Sequence, residues 1–561
     1  MSTEKKNFII GVGGTGMRCL ETFTHMCAMG LYDGMEFNVL TLDTDYENGN
    51  KSRTEELIQK YNSIKSHGYD DGGNGKANTD TFFSAKINLF KFVTNYSDKN
   101  NNTFKKLTGI AKDEKGSKLA DLFIDENIQS FNLEHGYRAQ THLGSYLMYH
   151  AFVDCARKLK KGDGSVGENE IQLQQFVKGI TNAEENAKIF VFGSIFGGTG
   201  ASTIPVIPKA LKKFIQIESD KTQDLSDKVV FGATLLTEYF SFKKPTDSQK
   251  KQDGNQVIAD SSFFTLNSQA ALQFYESDPT VSKTYSRMYH VGWPTGAIDF
   301  SKTKNDKETI TGGATQKNQC HIVEFFCGCA AWDFFNDEVN NDNDNDKATY
   351  LFKSIDFEEG NININYDDLL GDPKHGEKFE KRFGNFMSLM HLILSVNQGA
   401  DSTVDAVKGM LDNKGGINSV SENYKTIEKK YTTLLTEYFR TFGYSLNKQK
   451  QFVPGFIYQV RNTVPGRFVL ANDAFSTDTN FLFEKLDPGL LNVNEDKYWK
   501  GSKQGGRFSS TSTGIDSYDD FLSLMKDVDT EPDDEDHNIS TKEERLIAHL
   551  YKAINKSIKV K

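Results

Sequence analysis

The chain has 561 residues and a formal net charge of −11, with 25% charged and 37% hydrophobic residues. That acidity argues against broad nucleic-acid binding, and 42 Phe with 22 Tyr supply core material that a disordered chain lacks. No run of about eighteen apolar residues exists, so no membrane span is expected; six cysteines do not make a disulfide framework, no secretory signal is visible in polar Met1 to Asn7, and a cytoplasmic location is the expectation.

Phe8 to Gly11 reads as a short apolar strand. It runs into the glycine turn Gly11-Val12-Gly13-Gly14-Thr15-Gly16, and Met17 to Met29 then reads as a helix with Cys19, Leu20, Phe23, Met26 and Cys27 on one stripe. Glu36 to Leu42 is a second strand, ending in Asp43-Thr44-Asp45. Acids placed there meet either a ribose or a cation held by phosphate. Glu47 to Asn78 is polar and rich in glycine around DDGGNG, which suggests an insertion reaching to about residue 118, with a helix over Phe82 to Phe92. Before a helix over Ser145 to Leu159, Arg138 either reaches a phosphate or pairs with surface acids. His135 and His142 lack the spacing of a helical zinc pair, and no protein-held metal is assigned.

The strand–turn–helix junction recurs at Lys188 to Ala210. Ile189 to Phe192 is the strand, Gly193 to Gly200 the loop, Ser202 and Thr203 candidate caps, and Pro205 fits an early helical turn. Such junctions present main-chain N–H groups and the positive end of a helix dipole, both of which phosphate oxygens satisfy. Lys228 to Leu235 is a further strand, and Glu238 lies just beyond it, where an open α/β sheet places ligand contacts. Ser261 to Tyr275 reads as a helix carrying Phe264 and Asn267, whose amide either reads a base edge or faces water.

Tyr289 to Trp293 is a strand candidate. His321 to Phe335 is a core helix, with Cys327 and Cys329 as buried thiols and Glu324 near its start. Strands at Tyr350 to Ile355, Asn361 to Tyr366, Phe452 to Val460 and Gly466 to Ala471, with helices over Phe383 to Val396 and Val420 to Phe439, point to a second α+β region. Thr541 to Ile558 reads as a terminal helix whose stripe (Ile547, Leu550, Tyr551, Ile554, Ile558) docks on its own body or on another subunit. The expected units are residues 1–280 for nucleotide binding, 281–480 for the second domain, and 481–561 for a C-terminal extension able to take a protein partner.

Neither glycine turn ends in the Gly-Lys-Ser/Thr of a P-loop. A dinucleotide reading uses Gly11, Gly13 and Gly16 and leaves the second loop without a task. With both loops counted, the chain resembles the tubulin and bacterial cell-division tubulin-homologue superfamily, and more narrowly its divergent bacterial tubulin-like members. The family's first phosphate loop is similar to Gly11 to Gly16, its acidic loop to Leu42 to Asp45, and a third loop to Gly136 to Ala139. Its signature loop resembles Phe196 followed by Gly197, Gly198, Thr199, Gly200, Ala201 and Ser202, with Phe for the first glycine and Ser for the last.

The resemblance implies a tubulin-like, Rossmann-type GTP-binding domain with a parallel sheet, followed by an α+β domain and a helical extension. It implies GTP/GDP with Mg2+, held between subunits that self-associate head-to-tail into a longitudinal polymer. Phe264 and Asn267 then face guanine, and the segment from Asn318 to Glu324 supplies the groups that orient the attacking water for a neighbouring subunit. Two other expectations stay open: a nucleotide-dependent interaction module that does not hydrolyse, and an oxidoreductase.

Overall fold

The computed structural model describes residues 6–292 apart from 69–76, 95–102, 109–113, 220–228, 240–260 and isolated positions; it then describes 316, 322–336, 349–352, 356–358, 361–365 and short stretches up to 560. Seven parallel strands form the central sheet: β1 (Lys6–Val12), β2 (Glu36–Asp43), β3 (Lys86–Val93), β4 (Ala187–Phe192), β5 (Val230–Leu236), β6 (Tyr285–Val291) and β7 (Thr349–Phe352). Their order is β3-β2-β1-β4-β5-β6-β7. The central strands β4 and β5 are buried throughout, as parallel strands covered on both faces must be. The chain winds outward in opposite directions from β1 and β4. Such a reversal opens a crevice at the carboxyl ends of the two strands.

Helices cover both faces. On one lie α1 (Gly13–Ala28), α2 (Gly49–Gly68) and, near the end of the series, α12 (Ile322–Asn336). The other carries α6 (Thr141–Lys161), α7 (Glu168–Ala183) and α9 (Ile207–Ser219). The short helices α3 (Phe104–Thr108), α4 (Glu114–Phe123) and α5 (Glu126–Ser130) precede α6, and α8 (Thr199–Thr203) precedes α9. Between β5 and β6 come α10 (Phe264–Ser277) and α11 (Pro279–Ser282). No helix among the described residues is long and apolar enough to cross a membrane.

Several expectations need correction. The stretch read as a helix over Phe82 to Phe92 contains β3, paired with β2 from Glu36↔Lys86 to Asp43↔Val93. Ile87 and Leu89 join one core and Phe90 and Phe92 the other, a period of two rather than 3.6. The region read as an insertion also supplies α2. Its polar sequence reflects polar packing on α1, through Arg53 Nε to Glu21 (2.7 Å) and Thr54 Oγ1 to the Met17 carbonyl (3.0 Å), above buried Leu57, Ile58, Tyr61 and Ile64. The boundary expected at residue 280 falls within the sheet, because β6 and β7 extend it. The second sheet is separate and antiparallel: β8 (Asp356–Glu358), β9 (Asn361–Asn365), β10 (Val460–Arg461) and β11 (Arg467–Leu470), in the order β10-β11-β9-β8. Helix α7 was not anticipated; it buries Leu173, Phe176, Val177 and Ile180.

The terminal stripe docks on its own chain. Ile547, Leu550, Tyr551 and Ile554 are buried in the core that contains α1 and α12. Tyr551 meets Phe82 edge-on at 5.1 Å and lies 5.1 Å from the Arg382 guanidinium, which also holds Asp33 (2.6 Å) and Asp80 (2.9 Å). Tyr551→Ala is expected to destabilise the full chain by about 3 kcal/mol, read by urea unfolding; an unchanged midpoint would show that the stripe contributes nothing to this core.

Candidate functional site

Three helices begin at the carboxyl side of the sheet without a capping side chain. They are α1 after Val12, α6 after Gln140 and α8 after Gly198, and none has an acid in its first turn. Helix α10, after Phe263, also starts with neither, whereas Asp125 accepts from Asn127 N at the start of α5 and Asp278 from Thr280 N at α11. An uncapped start leaves main-chain donors for another partner.

The loops bearing these starts touch one another through glycines. A β-carbon on Gly13 would lie 3.1 Å from Thr199 Cβ, and one on Gly198 would lie 2.8 Å from Ala139 N and 3.1 Å from Arg138 N. On Gly136 it would lie 3.4 Å from Thr44 Oγ1 and 3.6 Å from Thr199 Oγ1. Gly13 and Gly136 are left-handed (φ +65° and +87°), as are Arg138 and Ala139 (φ 46° and 65°), a conformation that side chains seldom adopt. The first glycine loop, the acidic loop, residues 136–139 and the second glycine loop therefore pack against one another.

The acidic loop is tied by its own hydrogen bonds. Asp43 Oδ1 accepts from Thr44 N (2.7 Å) and Asp45 N (3.3 Å), and Oδ2 from Asn48 Nδ2 (2.8 Å). Asn48 Oδ1 accepts from Asn50 N (2.9 Å), which caps α2, and Asp45 Oδ1 from Glu47 N (3.0 Å). Burial, then the neighbouring Asp45, push Asp43 up to about 7, outweighing the two backbone donors and Lys51. Thr44 Oγ1 is buried with no hydrogen-bond partner. Among the described residues no group of three His, Cys, Asp or Glu could hold a metal. Asp43, Asp45 and Thr44 offer hard oxygen donors of the kind Mg2+ takes when phosphate oxygens complete its shell.

Thr15 follows Gly14 in the first turn of α1. Gly16 and Gly200 serve close packing: a β-carbon would meet Phe192 O at 2.5 Å in the first case and Ser194 N at 2.8 Å in the second. Gly11 packs against Leu20, and Gly197 faces Ser194 Oγ at 3.5 Å. Ala201 O accepts from Tyr275 (2.7 Å) and Ser202 O from Ser145 (2.8 Å), so both hold the loop's shape; Ser202 lies inside α8 and Gly198 is its N-cap. Glu238 accepts from Ser268 (2.7 Å). Arg138 lies 5.9 Å from the Phe131 ring.

Phe264, Asn267 and Glu324 each have partners within the chain. Phe264 is buried against the Phe196 ring at 4.9 Å, and Asn267 Nδ2 donates to the Phe196 carbonyl at 3.3 Å, so both brace the second loop. Glu324 is 1% exposed; it accepts from Arg18 and from the Tyr239 hydroxyl (2.8 Å) and is not on an open junction face. Asn318 and His135 lie outside the described residues. Sequence reasoning missed three carboxamides: Asn50 Nδ2, Asn48 Nδ2 and Gln316 Nε2 lie 3.2, 3.3 and 3.4 Å from the position of a Gly14 β-carbon. A signal existed for Asn48 and Asn50, which follow the acidic loop directly; Gln316 is brought in by the fold alone.

No protein-family model matches the chain, and no curated protein matches its sequence.

Because its folded value lies above 3.8, Asp43 binds its proton more tightly in the folded state. Its contribution to stability is present below about pH 4 and is lost as pH rises to about 7. Asp43→Asn is expected to flatten the pH dependence of the melting temperature over that range; an identical profile would place the titration elsewhere.

Proposed function

We propose that the chain is a tubulin-like GTP-binding protein that holds a nucleoside triphosphate with Mg2+ in the crevice between β1 and β4. The observation that carries this reading is the convergence of three uncapped, acid-free helix starts across the strand reversal. A polyphosphate is the ligand class that matches them: its oxygens accept from main-chain N–H groups, and its charge suits the positive helix ends. The glycine contacts leave the main chain approachable. A dinucleotide reading gives the second cradle, around Thr199, no work.

Mg2+ would be held by Asp43, Asp45 and the phosphates, and would supply charge neutralisation at the phosphoryl oxygens. Asn50 and Gln316 carry amides that both donate and accept, which suits a guanine edge; Asn48 already donates to Asp43 and accepts from Asn50 N, and Asn267 gives one of its two N–H groups to Phe196 O. Head-to-tail assembly, with hydrolysis completed at the junction, is the fuller form of the proposal. The enclosure of Glu324 by Arg18 and Tyr239 favours a second reading, in which GTP orders an interface and is not hydrolysed.

Gly198→Asp puts a carboxylate against the phosphates and a β-carbon against Arg138 N and Ala139 N. Its GTP affinity is expected to fall about a hundredfold or more by equilibrium titration of the full chain; unchanged affinity would remove the loop from the site. Sedimentation separates the two forms of the proposal. Pelleting with GTP and not with GDP supports assembly, and its absence at every protein concentration rejects it.

A further inference from the structure

Tyr239, three residues past the end of β5, is 6% exposed and joins α1, α12 and the second glycine loop. Its hydroxyl accepts from Arg18 Nη2 of α1 (2.5 Å) and donates to Glu324 Oε1 of α12 (2.8 Å). Its ring meets Phe196, in the second glycine loop, edge-on at 6.2 Å. Arg18 and Glu324 are themselves a buried ion pair, an arrangement that is rigid while intact and costly to break. One phenol thus links α1, which starts at the first glycine loop, and the second glycine loop to a fixed charge pair and to a core helix.

We propose that Tyr239 is a positioning residue: it fixes the spacing of the two glycine loops and transmits occupancy of the crevice to α12. The proposal rests on the crevice being the nucleotide site. A phosphate at the start of α1 acts on the helix that carries Arg18. A displacement of α1 there reaches Tyr239 and Glu324 through Arg18, and so retunes the α1–α12 contact. Burial raises the Tyr239 pKa, so the phenol keeps its proton and remains a donor at neutral pH.

Tyr289→Phe is the matched control. Tyr289 donates to Asp333 Oδ2 (2.6 Å) and its ring meets Phe190, so it too joins the sheet to α12, and among the described residues these partners lie outside the glycine loops. The experiment uses the full chain, titrated with GTP and with GDP, and follows amide hydrogen exchange across residues 322–336. In the wild-type protein GTP is expected to slow exchange in α12. Tyr239→Phe is expected to bind GTP about tenfold more weakly, the scale of one hydrogen bond, and to lose the effect of GTP on α12. Tyr289→Phe is expected to keep both responses. The proposal is overturned if Tyr239→Phe retains both, or if the two variants lose them equally. Wild-type binding with no change in α12 exchange overturns the coupling alone. No wild-type binding of either nucleotide overturns the reading of the crevice, and this proposal with it.

Discussion

Main-chain N–H groups at helix starts must find acceptors, and here three sets of them face one crevice. Each start carries roughly half a positive charge. The chain closes α5 and α11 with aspartates yet begins α1, α6 and α8 behind Val12, Gln140 and Gly198, with no acid nearby in sequence. Glycine occupies the positions where the loops meet, so their main chains approach one another closely. The doubly wound strand order brings this about: β1 and β4 are neighbours that send their following helices apart, and the space between them is left open.

The negative side of the site is held under tension of its own. Asp43 and Asp45 are both buried, close to helix starts that carry no acid of their own. Their oxygens are turned back onto their own loop and onto Asn48, which keeps them off the helix starts. Raised proton affinity at Asp43 is the residue of that conflict, since burial and a like charge both resist ionisation. A bound cation would relieve it. Deeper in the core, Arg18 and Glu324 meet a similar constraint differently, by pairing with each other and with Tyr239.

Much of the sheet was legible because buried parallel strands leave a plain trace. Phe8 to Gly11, Ile189 to Phe192 and the run ending at Leu235 are short apolar segments that stop at a glycine turn or a polar loop. The strand β3 was not legible as such: KINLFKFV alternates only weakly in hydrophobicity, because an edge strand is half covered. Helix α2 was hidden by its charge, since its contact with α1 is made by Arg53, Thr54 and Glu21 as well as by apolar residues. At the site, the glycine loops and the acidic loop could be read locally. Glu324 and Asn267 could not be placed, because their partners, Arg18 and Phe196, are 306 and 71 residues away. Gln316 lies near Gly14 from a distant part of the sequence, with no local pattern to announce it.

A structure of the full chain with Mg2+ and a non-hydrolysable GTP analogue tests the central claim most directly. The account predicts phosphate oxygens within hydrogen-bond reach of the main-chain nitrogens of Gly13 to Thr15 and of Gly198 to Gly200 at once. An analogue bound with its phosphates away from either loop would contradict it.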